Sequence, residues 1–258
     1  EVEYEAWISA IPLLQIDIEA VDVGASVNLI HEVTGDLDHS IANLCKGKAQ
    51  NQWQAADIDV HRKRFQSALR PLTNELAPHH IVDLVRAQLP GDGILAFDVG
   101  AHTHQIASQW RTHSPRTFLI TNGWSSMGFG LPAGIAAKIA EPQRPVVCLV
   151  GDACFQMTCG ELATAQRLGL ALPVVVLDDR SLSLIDVKQR RRQYGRTGVD
   201  VGNLGTRVPP AHYFGVPVLA ATDRASFEEN FAHALAAPGP TVIEARVDPA
   251  HYIDTVFD

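Results

Sequence analysis

PVVCLVGDACFQMTCGELATAQRLGLALPVVVLDDRSLSLI, residues 145–185, is the stretch on which the reading of this chain turns. Val146 to Val150 is a β-branched apolar run that stops at Gly151-Asp152-Ala153. A short apolar run closed by a glycine turn predicts a strand buried on both faces, as in a parallel sheet. Leu162, Ala165, Leu168 and Leu170 then keep one face apolar while Glu161, Gln166 and Arg167 fall elsewhere, which predicts a helix. A second buried strand follows from Pro173 to Leu177 and ends in Asp178-Asp179. The pattern is strand, helix, strand, with a carboxylate at the carboxyl end of each strand.

A right-handed crossover opens both strand ends on the same edge of the sheet, so Asp152 and Asp179 are expected to converge there. Converging oxygen ligands suit a hard cation such as Mg²⁺, which keeps some waters and binds through one or two carboxylates plus the phosphates of a ligand. Gly151 lets the backbone approach a phosphate, and the helix after it offers free N–H groups. A diphosphate held through a metal is the chemistry these residues predict.

The same residues resemble the thiamine-diphosphate signature, Gly-Asp-Gly followed further on by Asn-Asn, and most closely the acetolactate synthase-like branch of that family. Three more segments carry the resemblance: Asp98 to His102 (DVGAH), Asn122 to Ala133 (NGWSSMGFGLPA) and Phe155 to Ala165 (FQMTCGELATA). It runs from about Asn74 to Val247, in the family's order. The fold it implies is α/β, a doubly wound and mainly parallel sheet with helices on both faces. The cofactors it implies are thiamine diphosphate and Mg²⁺, with Asp152, Asp179 and the backbone carbonyl of Ser181 as metal ligands. The cofactor-binding set it implies is Ala101, His102, Ser125, Met127, Gly151, Asp152, Ala153, Cys154, Asp179, Ser181 and Leu182. Within that set the resemblance puts His102 on the diphosphate and makes Met127 the apolar prop that keeps the cofactor bent. It has the Ser125 carbonyl accept from the 4'-amino group of the pyrimidine.

Three positions depart from the family's pattern. Ala153 stands for the second Gly of Gly-Asp-Gly, Asp178-Asp179 for Asn-Asn, and Ala101 where Gln is frequent. An aspartate at 179 adds negative charge beside a diphosphate, which predicts tight cation binding and a steep dependence of cofactor binding on metal. In the family the glutamate that activates the cofactor lies on a separate pyrimidine-binding domain, and nothing in this chain matches it. The resemblance therefore implies no catalytic residue here and a partner polypeptide carrying that glutamate, in a homo- or hetero-oligomer with two-fold symmetry. The reaction implied is carboligation or decarboxylation of pyruvate or another 2-oxo acid. A non-catalytic assembly or regulatory subunit descended from such a domain is the alternative, with Ala153 and Asp178-Asp179 as marks of a decayed site.

Composition bounds the rest. The chain has 258 residues, 46% of them hydrophobic, enough for a full core. A net charge of −8 without a long basic tract disfavours nucleic acid, and no apolar run reaches the length of a membrane span. Cys45, Cys148, Cys154 and Cys159 do not make a zinc pattern and read as small apolar side chains in a reducing compartment, hence a cytoplasmic protein. Gly128 to Ala133 matches the dinucleotide pattern G-x-G-x-x-A, but Pro132 interrupts the turn and the match is set aside.

Along the chain, residues 1–45 read as a remnant of a central domain, with a strand from Ile11 to Ile18 and a helix from Leu37 to Leu44. Residues 46–73 read as a polar linker with a solvated His61–Arg64 run, and residues 74–258 as the diphosphate-binding domain. In that domain the pattern predicts a helix from Pro78, strands at Ile94–Phe97, Thr117–Thr121, Tyr213–Ala220 and Thr241–Val247, and helices at Leu131–Ala140, Leu184–Tyr194 and Ser226–Ala236. Gly195 to Gly205 reads as a mobile loop, and the basic helix before it as solvent-facing or anion-steering.

Overall fold

The structure, a computed structural model, describes residues 12–20, 28–47, 53–201 and 209–256. The chain divides into two compact units, Glu1–Asp59 and Val60–Asp258.

In the first unit β1 (Leu13–Asp17) pairs in parallel with β2 (Leu29–Thr34), and α1 (Leu37–Cys45) follows. Asp36 caps α1 by accepting from the His39 amide at 2.7 Å. The strand expected over Ile11–Ile18 is shorter than predicted, and Ile11 lies outside the described residues. β2 was not expected: its alternation LIHEVT is broken by charge, and its partner strand decides it. The segment expected as a linker contains a helix, α2 (Ala55–Ala68), none of whose residues is buried. Without an apolar face it gives the period-3.6 signal nothing to register. Gln50, Asn51 and Gln52 of that segment lie outside the described residues.

The second unit is built on α3 (Pro78–Gln88), β3 (Ile94–Phe97), α4 (Ala101–Gln109), β4 (Phe118–Leu119), α5 (Gly130–Ala140) and β5 (Val146–Gly151). There follow α6 (Asp152–Thr158), a 3₁₀ turn at Cys159–Glu161, α7 (Leu162–Arg167), β6 (Pro173–Asp178) and α8 (Ser183–Arg191). β7 (His212–Tyr213), β8 (Val216–Ala221), α9 (Arg224–Ala236), β9 (Thr241–Arg246) and α10 (Tyr252–Thr255) complete it. The strand order is β4-β3-β5-β6-β9-β8-β7, parallel throughout except for β7 against β8. The fold is α/β and doubly wound, as expected.

Strand side chains alternate between two cores. Leu95, Phe97, Leu149, Val175 and Leu177 join the buried residues of α3 and α9 on one face. Ala96, Cys148, Val150, Val174 and Val176 meet Leu131 and Ile135 of α5 and Phe155 and Leu162 beyond β5 on the other. Burial on both faces is why these strands read as unbroken apolar runs. The single strand expected over Tyr213–Ala220 is a hairpin instead. Phe214 and Gly215 both have positive φ, +52° and +84°, the mark of a two-residue primed turn. Phenylalanine is an unusual residue there, so the turn left no sequence signal.

Two connections leave the central strands in opposite directions, from β3 outward to β4 and from β5 across to β6. The crevice outside their carboxyl ends is the topological switch point, where ligands bind in open α/β sheets.

α5 lies against the sheet through Gly134, where an added Cβ would stand 2.1 Å from Cys148 Sγ. Gly134→Ala is expected to lower the urea midpoint, by an overpacking cost of about 1–3 kcal/mol that outweighs a helix-propensity gain of about 1 kcal/mol. In a Cys148→Ala background the same substitution should become neutral or stabilising. An equal loss in both backgrounds would show that the sulfur contact does not set this spacing.

Candidate functional site

β5 and β6 are adjacent and in register, with Gly151 beside Leu177, so the chain leaves both strands at one level and enters the turns that carry Asp152 and Asp179. These turns, with the end of β3 and the glycine-rich segment before α5, enclose a cavity of about 210 Å³. Every residue of the expected cofactor set lines it: Ala101, His102, Ser125, Met127, Gly151, Asp152, Ala153, Cys154, Asp179, Ser181 and Leu182. The first turn of α8 lines it too, through Ser183, Leu184 and Ile185. Among the described residues no group of three or more His, Cys, Asp or Glu side chains is arranged to hold a metal ion. A cation here would rest on two carboxylates and oxygens of other kinds.

Each carboxylate is aimed by backbone amides. Asp152 accepts from the Ala153 amide at 2.7 Å and, through its other oxygen, from the Arg180 amide at 2.8 Å. Asp179 accepts from the Ser181 amide at 2.9 Å and from Ser183 Oγ at 2.8 Å. The two turns are thus hydrogen-bonded to each other as well as paired through their strands. Burial pushes Asp152 up to about 7, with the negative Asp179 beside it adding to the rise. Burial likewise pushes Asp179 up to about 6 against the hydrogen bonds of Ser181 and Ser183. A buried and a partly buried acid that resist ionisation near each other suit a site completed by positive charge.

His102 supplies the second unsatisfied group. Its ring is 6% exposed and lies against Gly100 and Gly151, where an added Cβ would come within 2.8 and 2.9 Å of it. Glycine is needed at both places because the imidazole occupies the space. The His102 Nε2 atom is buried without a hydrogen-bond partner, and burial pulls the ring's pKa down to about 4. A buried polar atom without a partner costs free energy.

Asp98 and Tyr252 matter to the site and were not among the expected residues. Asp98 is fully buried and accepts from the amides of Val99, Gly128 and Gly130, each at 2.9 Å. It fastens the glycine-rich segment, including Ser125 at φ +50°, to the end of β3. A fixed acid after a buried strand was visible in the sequence; its partners 30 residues on were not. Tyr252 lies 3% exposed with its hydroxyl unpartnered, and burial together with the charges of Asp179 and Asp152 raises its pKa well above the usual phenol range. Nothing in the local sequence of α10 signals that placement.

In the basic helix Lys188, Arg190, Arg191 and Arg192 are all exposed, in keeping with a solvent-facing surface, and Arg191 also donates to the carbonyls of Ile253 and Val256, both at 2.7 Å. Residues 195–201, expected to be mobile, are tied to α8 and to the Arg180–Leu182 turn. Residues 202–205 of that expected loop lie outside the described residues.

Cα geometry and sequence agree with known proteins over this region. Residues 98–245 match the family model of the thiamine pyrophosphate enzyme, C-terminal TPP binding domain. The chain is 30% identical to the acetolactate synthase large subunit of Lactococcus lactis over 174 residues, 66% of this chain and 30% of that protein. It is 28% identical to the large subunit of Parasynechococcus marenigrum (91% and 39% covered) and 26% identical to acetolactate synthase isozyme 1 of Escherichia coli (92% and 42%). Among solved structures, the thiamine diphosphate-dependent 4-hydroxybenzoylformate decarboxylase of Rhodococcus jostii superimposes with a TM-score of 0.61 at 25% identity, covering 69% of this chain and 34% of that one. The chain therefore spans less than half the length of each of these relatives. It belongs to the thiamine pyrophosphate enzymes, in their acetolactate synthase-like branch, and the matched region is their C-terminal cofactor-binding domain.

Proposed function

We propose that this chain is the diphosphate- and Mg²⁺-binding half of an acetolactate synthase-like carboligase or decarboxylase that acts on pyruvate or another 2-oxo acid. The observation that carries the reading is one cavity lined by two ionisation-resistant carboxylates together with His102, whose Nε2 has no partner. That combination matches a ligand which is itself a cation–diphosphate pair.

The residues present fit such a group. Asp152, Asp179 and the Ser181 backbone would hold the cation, and His102 with the amides of the turn after Gly151 would meet the diphosphate. Met127 and the Ser125 backbone border the side where the pyrimidine would lie. When bound, the cofactor supplies an electron sink for breaking and making carbon–carbon bonds next to a carbonyl. This chain's own contribution is to fix the tail of the cofactor and so set where its reactive end stands. The glutamate that the reaction needs is assigned to a pyrimidine-binding domain on a partner polypeptide, docking where Trp124 is 97% and Met127 36% exposed. The alternative, a decayed regulatory subunit, is weakened by Asp178. Its carboxylate is drawn to Arg180 (3.6 Å) and Arg246 (3.3 Å), so part of the extra negative charge of the Asp-Asp pair is offset by arginine.

Isothermal titration with thiamine diphosphate and Mg²⁺ should give binding that disappears when EDTA removes the cation. No heat at any Mg²⁺ level would favour the regulatory reading. The purified chain should not turn over pyruvate until a pyrimidine-domain polypeptide is added; normal turnover by the chain alone would refute the divided site.

A second expectation follows from proton linkage. Asp152 and Asp179 titrate near 7 and 6 when folded, against an ordinary 3.8, so the folded state holds more protons than the unfolded one between about pH 4 and 7. Their contribution to the stability of the metal-free chain therefore falls as pH rises through that window. Asp152→Asn should raise metal-free stability at pH 8, leave it nearly unchanged at pH 4, and abolish the stabilisation given by Mg²⁺ with cofactor. Denaturation curves for the variant and the parent that stay parallel across this range would contradict the assignment.

A further inference from the structure

Beyond the cavity, residues 192–201 form a strap that turns back along α8 and pairs with the turn carrying the cation ligands. Leu182 N donates to Val199 O at 2.7 Å and Val201 N to Arg180 O at 3.0 Å, with an antiparallel bridge between Ser181 and Asp200. Ser181 is thus flanked by two residues whose backbone the strap holds. Arg180 needs that hold. Its φ is +59°, the left-handed region that a residue with a Cβ enters only at a cost, while its amide donates to Asp152. Such a conformation persists where the surroundings over-determine it, and these cluster at functional sites.

The strap is fixed in turn. Val199 is 1% exposed, and the Gln189 side chain pairs both ways with the Thr197 backbone, at 2.9 and 3.1 Å. Arg196 reaches three elements at once. Its guanidinium meets Asp186 of α8 at 3.0 Å, Asp200 of the strap at 2.5 Å, and Ser181 Oγ of the ligand turn at 3.4 Å. A rigid fork with five donors suits that junction, where lysine would offer one point charge.

We propose that Arg196 is a positioning residue of the cation site. By joining Asp186, Asp200 and Ser181 it presses the strap against the Arg180–Leu182 turn and keeps the Ser181 backbone and the Asp179 carboxylate in register with Asp152. The inference rests on the cation reading proposed above and extends it to a residue that touches neither cation nor cofactor. Support shells of this kind act through the ligands they orient, and their removal weakens metal binding while the ligands remain.

The test uses the full chain, with Mg²⁺ as the titrant at a fixed thiamine diphosphate concentration and binding read by calorimetry. Arg196→Ala should raise the Mg²⁺ concentration for half-saturation about tenfold, with Arg196→Lys in between. Asp200→Ala should reproduce the effect, and the double variant should be no worse than either single one, because the two groups act as one tie. Melting of the metal-free chain should move little, since half-exposed ion pairs contribute little to global stability. Unchanged Mg²⁺ dependence in Arg196→Ala, additive losses in the double variant, or an equal fall in metal-free stability would each overturn the inference while wild-type binding stands. Absence of Mg²⁺-dependent binding by the wild-type chain would overturn the cation reading and this inference with it.

Discussion

The site depends on placing two carboxylates where neither ionises freely. Asp152 and Asp179 leave adjacent parallel strands at the same level, and their turns are locked together by the Arg180 amide. Without a counter-charge this arrangement is unfavourable, because burial and like charge both oppose ionisation. Its persistence requires a scaffold that gains more elsewhere, and the two cores flanking β5 and β6 provide it. All six residues of β5 and five of the six in β6 are buried, so a one-residue slip would sacrifice apolar burial on both faces before relaxing the acids. Register is thereby the means by which a hydrophobic sequence enforces an electrostatic geometry.

A third acid, Asp98 at the end of β3, is held by backbone amides. Asp98 is more deeply buried than Asp152, yet three backbone amides satisfy it at 2.9 Å. A carboxylate so solvated by N–H groups is a structural anchor that needs no ligand. Its neighbour His102 has the reverse character, a ring trapped between two glycines with one nitrogen unpaired. Beyond the end of β3, therefore, satisfied and unsatisfied polar groups divide into scaffold and binding surface.

The sequence was most legible where burial was most complete. β3 was read to the residue, and β5, β6 and β9 to within one, because strands covered on both faces leave uninterrupted apolar runs. Asp152 and Asp179 were legible for a related reason, since they follow β5 and β6 directly, whereas the rest of the expected set came from the family resemblance. Legibility failed where the deciding partner is distant or the local residue is atypical. β2 exists through its pairing with β1, α2 has no apolar face, and the β7–β8 turn has phenylalanine at a positive φ. Gly195 to Gly205 was read as a mobile loop because no apolar period runs through it. What fixes the strap is a set of contacts from Arg196, Gln189 and Val199 that no local pattern encodes.

The pair Asp178-Asp179, which set this chain apart from the family pattern, changes meaning once its surroundings are known. Asp178 is ion-paired with Arg180 and Arg246, yet its charge still adds to the negative field that opposes ionisation of Asp152 and Asp179. A divalent cation between Asp152 and Asp179 would be balanced by two carboxylates, whereas an asparagine at 179 would leave it one net positive charge to draw a diphosphate. On the proposed reading aspartate would strengthen the hold on a metal and weaken that metal's pull on the phosphates. On the same reading part of that pull would come from N–H donors such as His102 and the amides of the turn after Gly151. The substitution, on the proposed reading, would shift the division of labour between cation and protein without removing the chemistry that a cation–diphosphate ligand needs.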